Sequence, residues 1–145
     1  MKLSLTFFLV LLAYTNLNAQ ATTSNASVNY EVVVYFGSMC CGTASNDFLK
    51  DFIKEFNRKN KVIINGWQMS GCGREGEYKI LLSLDKLKAT KKTKLIAALK
   101  KLIPKQNDQN KVEKASSGPI SLDYNLSANN LINCRGELTK WILSK

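Results

Sequence analysis

The chain carries four cysteines, Cys40, Cys41, Cys72 and Cys134, and no histidine. The missing imidazole removes Ser-His-Asp triads, Cys-His dyads, His-ligated zinc and histidine acid–base catalysis. What remains is sulfur chemistry. In an oxidising compartment an even cysteine count points to disulfides. In a reducing one, Cys40 and Cys41 offer two neighbouring thiols just ahead of a predicted helix, where the N-terminal dipole favours thiolate. Met39 stands beside them and Met69 lies in the same region. Thiolates with thioethers suit Cu(I). Arg74-Glu75-Gly76-Glu77 sets two carboxylates beside an arginine. Two carboxyls on one turn read as an exposed charged loop rather than as a glycosidase pair.

Hydrophobic periodicity gives the elements that must position these groups. Tyr30 to Phe36 is rich in β-branched and aromatic residues and predicts a buried strand. Gly37 to Gly42 follows as a turn, and Thr43 or Ser45 is placed to cap a helix. Phe48, Leu49, Phe52, Ile53 and Phe56 recur at helical spacing, so the helix runs to about Lys59-Asn60. Val62 to Met69 predicts a second strand with Gly66 as a bulge. Ser70 to Gly76 holds three glycines and reads as a hairpin loop. Tyr78 to Leu84 is the third strand. Thr90 to Ile103 carries one stripe of Leu95, Ile96, Leu99, Leu102 and Ile103, and Pro104 is expected to end that helix. Lys105 to Ser117 is expected to be a surface loop. Pro119 to Tyr124 alternates and is placed at a sheet edge by its proline. A last helix is expected from Ser127, carrying Leu131, Ile132, Leu138, Trp141 and Ile142.

The order β-α-β-β-α-β predicts an α+β, ferredoxin-like fold: an antiparallel sheet with both helices on one face, plus a C-terminal helix. In that topology the Met39–Gly42 turn and the Gly71–Gly76 hairpin share one end of the sheet. Cys40 or Cys41 could then meet Cys72, with the other of the pair joined to Cys134. A bond between neighbours Cys40 and Cys41 is set aside as strained. The competing use of the same corner is a soft-metal site built from Met39, Cys40, Cys41 and Cys72.

At this corner the sequence resembles the heavy-metal-associated domains of copper chaperones. These carry a Gly-Met-x-Cys-x-x-Cys loop between the first strand and first helix, where this chain has Gly37-Ser38-Met39-Cys40-Cys41-Gly42. The resemblance implies Cu(I) as the ligand. The loop departs from that pattern in two ways: one residue is inserted between Gly37 and Met39, and adjacent cysteines replace the two-residue spacer.

The N-terminus has one positive charge at Lys2, an apolar run from Leu3 to Tyr14 and a small-residue exit ending at Ala19. This is the layout of a cleavable export signal. The run is short of the roughly 20 apolar residues a membrane span needs. The expected organisation is a signal peptide over 1–19, a flexible lead-in over 20–29 and a single domain over 30–145. No transmembrane segment is expected after cleavage, and the mature protein is expected to be periplasmic or extracellular.

The formal net charge is +10, which favours anionic partners. Lys86, Lys88, Lys91, Lys92, Lys94, Lys100, Lys101 and Lys105 gather around the second helix. From these, Lys91, Lys92, Lys100 and Lys101 are the candidate contacts to an anionic surface. Nucleic acid is a poor fit, because an exported protein meets little of it and the aromatics lie in half-buried strands rather than on a stacking platform. Together these features read as a small, disulfide-stapled binding or accessory protein, acting on a protein or an anionic surface. Soft-metal binding is its alternative, and no catalytic constellation stands out.

Overall fold

The computed structural model describes residues 30–113, 117–124 and 134–143. The expected signal peptide and lead-in lie outside these residues. So do Ser127, Leu131 and Ile132 of the expected last helix.

Seven elements follow one another: β1 (Val32–Ser38), α1 (Asp47–Asn60), β2 (Asn65–Met69), β3 (Tyr78–Ser83), α2 (Ala89–Glu113), β4 (Ser117–Asp123) and β5 (Leu138–Lys140). The strands form one five-stranded antiparallel sheet in the order β4-β1-β3-β2-β5. The class is therefore α+β. In β1 the residues Val32, Val34 and Phe36 point to one face, where they join Tyr78, Ile80 and Leu82 of β3 and Ile120 of β4. Leu49, Ile53 and Phe56 of α1 and Leu95, Leu99 and Ile103 of α2 belong to the same cluster. Both helices thus bury their apolar stripes against one face of the sheet, and this burial is the main driving term of the fold.

Three elements differ from the sequence expectation. The first is α2, which passes through Pro104 and ends at Glu113. The expected loop over 105–113 is helix. A helix-interior proline removes one hydrogen bond and costs about 3 kcal/mol, but it bends a helix rather than always ending it. The continuation is held from outside. Asn107 donates from Nδ2 to the Ile120 carbonyl at 2.8 Å and accepts at Oδ1 from the Ile120 N–H, also at 2.8 Å. One side-chain amide thereby stands in for a missing strand along the edge of β4.

The second is the chain end. Leu138–Lys140, expected in a helix, is strand β5. The spacing of Leu138, Trp141 and Ile142 imitates a helical face, but Trp141 has a different use. Its backbone N–H donates to the Gly66 carbonyl at 3.0 Å, and its ring lies over Gly66, where an added Cβ would stand 2.5 Å from the indole. Gly66 is accordingly no bulge. It pairs regularly with Leu82 and is small because tryptophan occupies the space above it. The third difference is minor: Asn46 sits at the N-cap of α1 without a capping side-chain bond, while Ser45 accepts at Oγ from the free Asp47 N–H at 3.2 Å.

Candidate functional site

The cysteine-bearing segments meet at one end of the sheet. β1 delivers Met39, Cys40, Cys41 and Gly42 there, and a bridge between Ser38 and Thr43 closes these four into a tight loop. Gly42 takes a φ of +108°, a conformation that glycine adopts freely and L side chains do not. Beyond the loop, the Tyr78 hydroxyl donates to the Ala44 carbonyl at 3.0 Å. This anchors the segment to the core. Burial pushes the Tyr78 phenol up to about 12.

The β2–β3 hairpin brings Cys72 to the same end. The Cys72 N–H donates to the Glu77 carbonyl at 3.0 Å. The segment leading into β5 lies alongside, with Arg135 N–H donating to the Gly71 carbonyl at 3.0 Å and Gly136 N–H to the Ser70 carbonyl at 3.1 Å. These contacts place Cys134 against Cys72, and the two sulfurs are bonded at 2.03 Å.

The expected pairing is thus corrected. Cys72 joins Cys134 and neither of the neighbours. Cys40 and Cys41 are left as free, exposed thiols. The rule that brings two loops to one sheet end is sound, but it could not rank partners at that end. The deciding contact is the short backbone ladder between Ser70-Gly71 and Arg135-Gly136. Its sequence trace is a glycine on each side, since an added Cβ at Gly136 would fall 2.7 Å from the Ser70 backbone.

The soft-metal set changes with it. Cys72, held in a disulfide, cannot supply a thiolate, so Met39, Cys40 and Cys41 remain. Among the described residues no group of three or more His, Cys, Asp or Glu is placed to hold a metal ion. The thioether of Met39 is largely exposed, at 73%. The Cys40 and Cys41 sulfurs share a hydrogen bond at 3.0 Å. Cys40 is not the activated thiolate expected of a helix N-terminus. Its hydrogen bond with Cys41 raises its pKa above the ordinary thiol value, helped by slight desolvation and by the negative potentials of Cys41 and Glu75. The helix begins only at Asp47, and the dipole's influence falls off within its first turn.

A cavity of about 300 Å³ opens beside the same loop, lined by Met39, Asn107, Asn110, Lys111, Ser117, Gly118 and Pro119. In the 74–77 turn, Glu77 Oε2 accepts from the Glu75 N–H at 2.8 Å.

The four candidate lysines differ in their contacts. Lys91 donates to the Asn60 carbonyl at the end of α1 at 2.7 Å. Lys92 pairs with Glu31. Lys100 lies over the Tyr124 ring, 4.1 Å from its centroid. Lys101 is exposed. The apolar stripe of α2 is core, and several of its flanking lysines tie that helix to neighbouring elements.

Among the described residues no helix is long and apolar enough to cross a membrane. No protein family matches the chain, and no curated protein or solved structure matches it either.

Proposed function

We propose that this chain is exported, loses residues 1–19, and works in the periplasm or outside the cell as a disulfide-stapled binding or accessory protein on a ferredoxin-like scaffold. The observation that carries this reading is the Cys72–Cys134 pair, which closes a span of 62 residues. Such bonds form and persist where thiols are oxidised, and the leader-like N-terminus supplies the route to that compartment. The β-α-β-β-α-β order supports the ferredoxin-like description, with β5 added outside β2. The partner is a protein or an anionic surface, and the charge of +10 supports the latter. The lysines of α2 proposed to meet that surface are Lys91, Lys92, Lys100 and Lys101.

The test is expression of the full chain in a bacterial host, followed by fractionation and intact mass under non-reducing conditions. The expected product is periplasmic, begins at Gln20 and protects Cys72 and Cys134 from alkylation. An uncleaved cytosolic product with all four cysteines alkylated would end the reading. Vesicles with and without acidic lipid test the docking surface: neutralising all four lysines should abolish salt-sensitive retention, and unchanged retention removes it.

Soft-metal binding stays as a second reading because the two free sulfurs converge. Met39, Cys40 and Cys41 would hold a single Cu(I). Anaerobic titration against a Cu(I) chelator should show one ion per chain, lost on substituting either cysteine, and no uptake would remove the reading.

A further inference from the structure

We propose that Cys40 and Cys41 form a two-electron redox site: a vicinal dithiol that closes reversibly to a vicinal disulfide by exchange with another disulfide. All four cysteines are accounted for, because Cys72 and Cys134 hold each other. The neighbours therefore have no other partner within the chain. Their sulfurs already lie in hydrogen-bond contact at 3.0 Å, and closure requires a further approach of about 1 Å to the length of a disulfide. Both side chains are exposed, so a disulfide in solution can reach them. The loop has room to adjust, since nothing lies within 4 Å of where a Cβ on Gly42 would stand.

The reaction balances as two exchanges. One thiol gives its proton to solvent, and the thiolate attacks a sulfur of the incoming disulfide. That S–S bond breaks, and half the reagent leaves as a thiolate that takes up a proton. A mixed disulfide remains on the loop. The neighbouring cysteine, also deprotonated, attacks the loop-side sulfur, and the second half leaves in the same way. The dithiol is oxidised by two electrons, and the reagent is reduced to two thiols. The product ring contains both Cα and Cβ atoms, both sulfurs and the intervening peptide C and N. So small a ring strains the bond, and strained, exposed disulfides are the readily reduced ones. The site should therefore be poised between its states, unlike Cys72–Cys134.

The experiment equilibrates the folded protein across a series of reduced and oxidised glutathione. A parallel arm uses oxidised protein disulfide isomerase to distinguish a small-molecule source from a protein one. Each sample is quenched by alkylation and read by intact and peptide mass. The expected result is a monomer passing from two labels on the Cys40–Cys41 peptide to none, lighter by two hydrogens, while Cys72–Cys134 stays bonded throughout. Closure in the isomerase arm alone assigns the reagent to a protein. Cys40→Ser and Cys41→Ser, which alter exposed positions, should each stop at a stable mixed disulfide with glutathione. The proposal is overturned if the wild type also stops there, forms intermolecular dimers, or keeps both labels in both arms.

Discussion

Two cysteine pairs occupy the same end of one sheet, yet they differ in what surrounds them. The Cys72 side is gripped by backbone. Gly71 and Ser70 accept from Arg135 and Gly136, and Cys72 itself donates to Glu77. The Cys40 side stands at the apex of a loop closed by the single Ser38–Thr43 bridge, with open space around Gly42. The two also differ in what they close. A bond between residues separated by 62 positions removes much freedom from the unfolded chain, whereas a bond between neighbours removes almost none. The first pair therefore acts on the stability of the fold. The second is left to act on chemistry, and its loop pays little in structure for being exposed.

Removing the staple is the largest way to test this contrast. Replacing both Cys72 and Cys134 by serine should cost about 4 kcal/mol by the loop-entropy relation for that separation. Replacing Cys40 and Cys41 by serine should change stability by no more than about 0.5 kcal/mol, as for other exposed positions. Urea unfolding of the two double variants checks both values. Equal losses would mean that the two pairs are not different in kind.

The glycines give a smaller version of the same contrast. At Gly136 an added Cβ would meet Ser70 Oγ at 2.2 Å and Ser70 backbone at 2.7 Å, so Gly136→Ala must push two backbones apart. The expected cost is about 2 kcal/mol, within the range for overpacking. At Gly42 an added Cβ meets nothing within 4 Å. Gly42→Ala suffers only from its positive φ, at about 1 kcal/mol. Thermal melts rank the two, and the Gly136 variant should fall further.

The contrast also shows what the sequence could reveal. Runs rich in β-branched and aromatic residues located β1 and β3, which are buried along most of their length, and helical spacing located α1, which buries one face. The shared end of the cysteine loops followed from the element order. Three features needed tertiary contacts that no local pattern carries. Asn107 rewards a helix for continuing past Pro104, but its amide is informative only once Ile120 lies opposite. Trp141 fits both a helical stripe and a strand, and the gap over Gly66 decides between them. The cysteine partners were decided by the ladder between Gly71 and Gly136, whose glycines read, in sequence, as ordinary turn residues.

Tyr78 links the two regions, and its variant carries a small expected effect. It stacks on Phe36, with ring centroids 4.5 Å apart, and its hydroxyl holds the Ala44 carbonyl below the Cys40–Cys41 loop. Tyr78→Phe keeps the stacking and removes one hydrogen bond, at a cost of about 1 kcal/mol. The phenol also predicts a pH response. Its folded pKa is raised by burial from 10.0 to about 12, so between those values the unfolded chain loses a proton that the folded chain keeps. Tyr78's contribution to stability is thus complete below pH 10 and lost as pH rises through about 12. Phenolate absorbance should show a late step near that value, absent in Tyr78→Phe. The same variant should speed alkylation of Cys40 and Cys41 while leaving Cys72–Cys134 bonded, because the released anchor belongs to the open loop and not to the backbone ladder. A variant that loosened both pairs equally would show that this end of the sheet behaves as one unit.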